Sequence, residues 1–165
     1  MKKEQGITLV ALSVTIIVLI IIAGISVYSG KDVIKNGKLE ELRTNMLLVQ
    51  VKARETVEQA NFKMGPNPDA TKKAEVRKEV YETGAKLEKI SDSGITAPSG
   101  ANSENCYVVT AEALKNWGLN KIELSEGEYY IIEFDDINAK VEIYNTLGYS
   151  NNGTMVYSLT QIDNI

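Results

Sequence analysis

The most restrictive feature of this sequence is an uncharged apolar run near its N-terminus. From Ile7 to Val27 it reads ITLVALSVTIIVLIIIAGISV, about 21 residues without a charged side chain. At a rise of about 1.5 Å per residue, a helix of this length matches the roughly 30 Å hydrocarbon core of a bilayer. The sequence therefore predicts one transmembrane helix, which we assign to residues 7–28.

The apolar run follows a short leader, MKKEQG, that contains Lys2 and Lys3 and closes on Gly6. A short basic leader, a glycine and then an uninterrupted apolar helix resemble the N-terminus of type IV prepilins and of the pseudopilins of type II secretion and competence systems. The segment Gly-Ile-Thr-Leu-Val-Ala-Leu is most similar to the N-termini of prepilin-like proteins of Gram-positive bacteria. This resemblance covers roughly the first 25 residues.

The resemblance implies a processing site and a set of partners. Residues 1–6 would be the leader, a prepilin peptidase would cut between Gly6 and Ile7, and Ile7 would become the N-methylated first residue. The implied partners are that peptidase, other pilin subunits in a homo- or hetero-filament, the pilus assembly platform and the membrane. The leader would be cytoplasmic and the head extracytoplasmic, on a single-pass protein that joins a cell-surface filament after assembly.

One position departs from the family pattern. Ala11 stands where the mature pilin usually has a glutamate, which is thought to pair with the N-terminal amine of the neighbouring subunit. A carboxylate in lipid is costly unless it is paired, so alanine makes insertion easier and removes a charge-based register device. Major and minor subunits both stay open, as do pilus, competence and secretion systems.

Two other interpretations of the N-terminus remain open. The apolar helix is also compatible with a plain signal anchor that tethers a monomeric extracytoplasmic binding or sensor domain. The small residues at Ala23-Gly24-Ile25-Ser26 would suit ordinary secretion by signal cleavage, although the apolar region is longer than such signals have.

The next segment predicts an amphipathic continuation of the N-terminal helix over residues 29–64. Apolar residues recur at intervals of three and four, and the segment ends before Gly65-Pro66. The apolar positions of this stripe are Leu39, Leu42, Met46, Val49, Ala53, Val57 and Ala60. For residues 65–105 we predict a second helix over Asp69–Ile90 and a loop with few core groups over Ser91–Asn105.

Residues 106–165 predict an antiparallel β-rich head. The predicted strands are Tyr107–Val109, Lys121–Leu124, Tyr129–Phe134, Lys140–Tyr144 and Thr154–Leu159. Thr110 to Gly118 reads as a short helix with a threonine N-cap and a glycine stop, and Trp117 as a core or helix-to-sheet packing residue. The expected fold class is α+β and pilin-like, with a long N-terminal helix followed by an antiparallel sheet.

Composition excludes several kinds of chemistry. The chain has no histidine, which removes Ser-His-Asp and Cys-His catalysis and His-ligated zinc. The single cysteine, Cys106, cannot form an intramolecular disulfide and is expected to be a small buried residue. The net charge of −4 does not favour nucleic-acid binding. We expect neither enzyme activity nor a cofactor.

Two short motifs suggest a site but fit a turn better. Asp135 and Asp136 form a weak calcium candidate near Glu133, yet their spacing matches no EF-hand loop and suits a hairpin turn. Asn151-Asn152-Gly153-Thr154 contains a glycosylation sequon and reads as a tight turn between strands.

Overall fold

A computed structural model describes residues 3–135 and 140–165 of the chain. Among the first 33 residues, side chains are described only for residues 15–17 and 19. The side chain of Asp135 is also outside the described part. The chain divides into two compact units, Met1–Glu41 and Leu42–Ile165. Helix α1 runs from Lys3 to Met64 and includes both the apolar run and the predicted amphipathic segment. Among the described residues, none of the helices combines the length and apolarity that crossing a membrane requires.

The amphipathic stripe of α1 is confirmed within the second unit. Met46, Val49, Ala53 and Ala60 have no exposed surface. The helix ends at Met64, as predicted, and Gly65 follows in the left-handed conformation at φ 68°. Glycine pays no steric penalty there, so the chain can turn away from the helix axis.

The second predicted helix, Asp69–Ile90, is only partly correct. Helix α2 spans Ala70–Arg77 and passes into a π-helix over Lys78–Gly84. Beyond it, Leu87–Lys89 is strand β1, and Ile90–Ser93 is the short helix α3. Lys86 adopts a positive φ of 62°. This turn sends Leu87 to the sheet, where it is 3% exposed, so tertiary burial overrides the local helical pattern.

The head contains a five-stranded sheet with the order β1-β2-β3-β4-β5. Every neighbouring pair is antiparallel, so the predicted antiparallel sheet is confirmed. The remaining strands are β2 (Cys106–Val109), β3 (Tyr130–Asp135), β4 (Lys140–Asn151) and β5 (Thr154–Ser158). Asn152 and Gly153 both have positive φ at the β4–β5 turn, as a tight hairpin turn requires.

The strand predicted at Lys121–Leu124 is wrong, because no strand forms there. Both edges of β2 are already occupied, one by β1 and the other by β3. Ile122 is nevertheless buried, and its backbone N–H donates to the carbonyl of Leu119 at 3.0 Å. The apolar residues of this segment therefore pack as a turn against the head.

One face of the sheet is covered by the segment that was expected to be a bare loop. Ile90, Cys106, Val108, Ile131 and Tyr144 form a buried cluster there. Three residues of the predicted loop, together with a tyrosine of β5, pack on this cluster: Ile95, Ala97, Ala101 and Tyr157. The expectation that this loop has few core groups was wrong, because small and branched side chains close to the sheet still cover it.

The opposite face of the sheet lies toward α1. Side chains alternate along a strand, so Tyr107 and Phe134 point away from the first cluster. They pack with Tyr81 of the π-helix, whose ring lies 4.5 Å from that of Phe134 and 5.4 Å from that of Tyr107. Gln50 Nε2 of α1 donates to the Val141 carbonyl of β4 at 3.2 Å. The C-terminal part of α1 thus contacts the sheet through Gln50, and its apolar stripe is buried.

Two short helices complete the head. Helix α4 spans Ala111–Asn116, and its predicted N-cap is confirmed because the Thr110 hydroxyl accepts from the Ala113 N–H at 3.0 Å. Trp117 follows and is half-buried rather than part of the core. Helix α5, Leu159–Ile162, carries a capping box formed by Ser158 and was not predicted from the sequence.

Candidate functional site

The outer face of α1 carries apolar side chains that its own domain leaves exposed. Leu47, Leu48 and Val51 are 40%, 43% and 62% exposed. We call these three residues the outer patch. With 3.6 residues per turn, Val51 projects nearly opposite to Val49, which has no exposed surface. The segment 46–51 is therefore apolar on two opposite faces of one helix.

The orientation of this part of α1 is fixed by contacts on its inner side. Gln50 binds the Val141 carbonyl, and Arg43 Nε lies 2.8 Å from the Asp163 carboxylate. A helix held in this way cannot rotate its outer patch into the core of its own domain without breaking both contacts. The outer patch is thus held on the surface of the domain, where it is accessible to solvent or to another protein.

Charged side chains border the outer patch. Lys52 and Glu55 form an ion pair of 2.8 Å one turn away, and Arg54 and Glu58 are exposed. An apolar centre with a polar border is the usual composition of a protein contact surface. The spacing of apolar residues along α1 could have revealed this patch, because Leu47, Leu48 and Val51 are apolar but lie outside the i, i+3, i+4 stripe.

The processing residues expected from the N-terminal resemblance lie in the first part of α1. Gly6, Ile7 and Ala11 are all within this helix, and their side chains lie outside the described residues. Cleavage between Gly6 and Ile7, methylation of Ile7 and the effect of Ala11 therefore stay predictions.

The calcium candidate also falls largely outside the described residues, which exclude Asp136 and the side chain of Asp135. Their neighbour Glu133 is committed to protein contacts: one carboxylate oxygen accepts from the Asn102 N–H at 3.0 Å and the other from the Tyr144 hydroxyl at 2.8 Å. Within residues 3–135 and 140–165, as far as side chains are described, no group of three or more metal-ligating His, Cys, Asp or Glu occurs.

A polar cleft of about 380 Å³ lies beside Glu133 and is lined by Glu142, Tyr144 and Thr160. Glu133 and Glu142 face each other across β3 and β4. Glu142 accepts from both the backbone N–H and the hydroxyl of Thr160, at 2.9 and 2.6 Å. The two carboxylates thus anchor the start of α5 and the loop before β2. The cleft is not predictable from the sequence, since only the strand register brings Glu133 and Glu142 together.

Two groups near this cleft, the Tyr144 hydroxyl and the Cys106 thiol, have raised pKa values. Burial raises the pKa of the Tyr144 hydroxyl, and its hydrogen bond to the Glu133 carboxylate raises it further. Burial, with a smaller contribution from the charge of Glu133, raises the pKa of the Cys106 thiol to about 12. The thiol donates to the Asn102 carbonyl at 3.1 Å, and Cys106 is 1% exposed. The expectation of a buried cysteine is confirmed.

Comparison with known proteins returned no match of the chain to a protein-family model, to a curated protein or to a solved structure.

Proposed function

We propose that this chain is a prepilin-like structural subunit of a type IV pilus, competence or type II secretion-like filament. It would be cut between Gly6 and Ile7, methylated on Ile7 and assembled by packing its N-terminal helix against those of other subunits. The observation that carries the proposal is the outer patch on α1. It leaves apolar surface exposed on a helix whose inner face already has a partner.

The fold supports the same proposal. A long N-terminal helix is followed by an antiparallel sheet, and one side of the C-terminal part of this helix is buried. This is the α+β arrangement that the N-terminal resemblance implies. A pilin-like fold supplies a reason for both faces of the segment 46–51, since one serves the head and the other serves the filament.

Energetics make the assembly feasible. The apolar run at 7–28 loses little when it exchanges lipid contacts for contacts with other apolar helices. The outer patch gains when it leaves water, because burying apolar surface contributes about 25 cal/mol per Å². The patch would therefore add a driving force outside the bilayer to helix packing that starts within it.

The proposal is tested by the N-terminal sequence and intact mass of the membrane-purified protein, expressed with and without an active prepilin peptidase. A chain that starts at N-methylated Ile7 only with the peptidase is the expected result. Gly6→Leu should abolish cleavage, because it removes the glycine that precedes the proposed cleavage site. Gly24→Leu is the matched control and should leave cleavage intact.

Other outcomes would contradict the proposal. A chain that always keeps residues 1–6 would indicate a plain signal anchor. Cleavage near Ala23 would indicate ordinary secretion and a released product.

The second candidate is a signal-anchored monomeric binding or sensor domain, and the polar cleft beside Glu133 and Glu142 is the feature that favours it. Such a domain would be extracted by detergent as a monomer with its leader retained. A filament subunit would be recovered from sheared surface filaments with its leader removed. Sedimentation of the detergent extract, together with immunoblotting of the sheared fraction, separates the two candidates.

A further inference from the structure

Phe62 is an aromatic side chain left in solvent near the end of α1. It is 89% exposed, more than any other large hydrophobic residue that the structure describes. An aromatic ring is among the largest sources of contact energy when it is buried. At this level of exposure Phe62 contributes little to the core of its own domain.

An apolar cleft of about 540 Å³ lies elsewhere on the head, between α4 and the turn that follows it. We call it the α4 cleft. Its apolar lining includes Leu114, Leu119, Ile122 and Leu124, and Lys115 stands among them. A closed apolar cavity of about 150 Å³ is enough to bind benzene, so a phenyl ring fits within this open volume. Phe62 is not part of the lining, so the cleft is not filled by the chain's own ring.

One acidic residue near the ring and one basic residue in the cleft lining have opposite charges. Glu58 precedes Phe62 by one helical turn, so the two side chains project from the same face of α1. Glu58 is exposed. Lys115 lines the α4 cleft and is also exposed. A ring that entered the cleft of a neighbouring molecule would bring a carboxylate and an ammonium group to the same contact.

We propose that Phe62 of one copy of this chain inserts into the α4 cleft of the next copy, with Glu58 facing Lys115. The two surfaces are different patches of the same molecule, so the contact is heterologous. A heterologous contact that does not close into a ring propagates into an open filament. This inference rests on the proposed function for its choice of a second copy as the occupant, and it adds a specific contact between heads to the packing of α1.

The contact is tested by disulfide cross-linking of full-length chains in membranes and in sheared filaments. Phe62→Cys and Leu119→Cys are placed in separately tagged copies that are expressed together with the peptidase and assembly machinery. Oxidation should link the two tags, whereas either variant alone should give no such product. When both substitutions are in one chain, oxidation should give ladders of many sizes. Asn61→Cys replaces Phe62→Cys as the matched control and should cross-link much less.

Charge exchange provides a second measurement on the same cross-linked product. Glu58→Lys alone, or Lys115→Glu alone, should lower the yield about two- to fivefold, as expected for replacing an exposed opposite-charge pair by like charges. The two changes in one chain should restore the yield. Restoration would not occur if each substitution acted only by disturbing its own surroundings.

The outcomes keep this inference separate from the proposed function. The chain could be processed at Gly6–Ile7 and form filaments in which Phe62→Cys cross-links no better than Asn61→Cys. That result would overturn the inference and leave the subunit proposal standing. Closed dimers instead of ladders would overturn the heterologous geometry. An unprocessed chain that stays monomeric would overturn both proposals.

Discussion

Two valines of α1, only two residues apart, provide a sharp test of the two-faced helix. Val49 has no exposed surface, whereas Val51 is 62% exposed. The substitutions Val49→Ala and Val51→Ala remove the same two methyl groups from the same helix. We expect them to separate folding from assembly, because one valine is buried within its own domain and the other belongs to the outer patch.

The effect of Val51→Ala on folding should be small. Exposed substitutions generally change stability by less than about 0.5 kcal/mol, and alanine has the higher helix propensity. Its effect on assembly should be larger. A buried methylene is worth about 0.8 kcal/mol, and roughly three fifths of Val51 remains to be covered, so each contact loses about 1 kcal/mol. This corresponds to about a fivefold weaker association per contact.

Val49→Ala should show the reverse pattern. The lost methyl groups and the cavity that they leave cost about 2 kcal/mol of unfolding free energy. For a chain of this size, this lowers the melting temperature by about 4–8 °C. Once the amounts of folded protein are equalised, its filament yield should match that of the unsubstituted chain.

The assays are thermal unfolding of the full-length chain in detergent and immunoblotting of sheared surface filaments relative to total folded protein. Reduced filament yield with unchanged melting is expected for Val51→Ala. The reasoning is refuted if Val51→Ala assembles as well as the unsubstituted chain, because the outer patch would then have no partner. It is also refuted if Val51→Ala melts as early as Val49→Ala.

Three further predictions concern the head. Gly148→Ala should lower the unfolding free energy, measured by urea unfolding, by more than about 1 kcal/mol and by more than Gly153→Ala does. Both glycines have positive φ, but only at Gly148 would an added Cβ lie 2.6 Å from the Val156 carbonyl oxygen. Because burial raises the pKa of Cys106 from 9.0 to about 12, the native state disfavours the thiolate, and unfolding free energy should fall as the pH rises through that range. Urea unfolding at about pH 8 and about pH 10 should show a smaller fall for Cys106→Ala, and an equal fall would contradict this assignment. Thr110→Ala should cost about 1 kcal/mol through loss of the α4 cap, and Thr110→Ser should retain most of it in the same assay.

Local signals in the sequence were sufficient for much of the head. The end of α1 before Gly65-Pro66, the Thr110 cap and the Asn152-Gly153 turn each depend on the conformational preferences of one or two residues. Strands β3 and β5 are also local patterns, because β-branched and aromatic residues are concentrated in these short segments. These elements were predicted close to where they lie.

Elements that depend on distant partners were not predictable in the same way. Leu87–Lys89 has a helical pattern and yet forms a strand, since the outer edge of β2 offers it hydrogen bonds and a buried position for Leu87. Lys121–Leu124 has a strand-like pattern and stays a turn, because no edge of β2 is left for it. The order of strands in the sheet decides both cases.

The candidate sites show the same division. The N-terminal motif around Gly6 is a pattern of adjacent residues and needs no fold to be noticed. The outer patch needs the sheet, since only the sheet decides which apolar face of α1 is covered. The α4 cleft needs both α4 and the turn after it, and the turn was predicted as a strand.

The two-faced segment of α1 distinguishes the two candidate functions. A tethered monomeric domain needs one apolar face on this helix, because only one side of the helix is buried in the domain. Polar residues on the other side would keep such a domain soluble, and Leu47, Leu48 and Val51 are exposed there instead. A filament subunit needs both faces, one for its head and one for its neighbours. The exposed apolar patch therefore favours the subunit over the tethered domain.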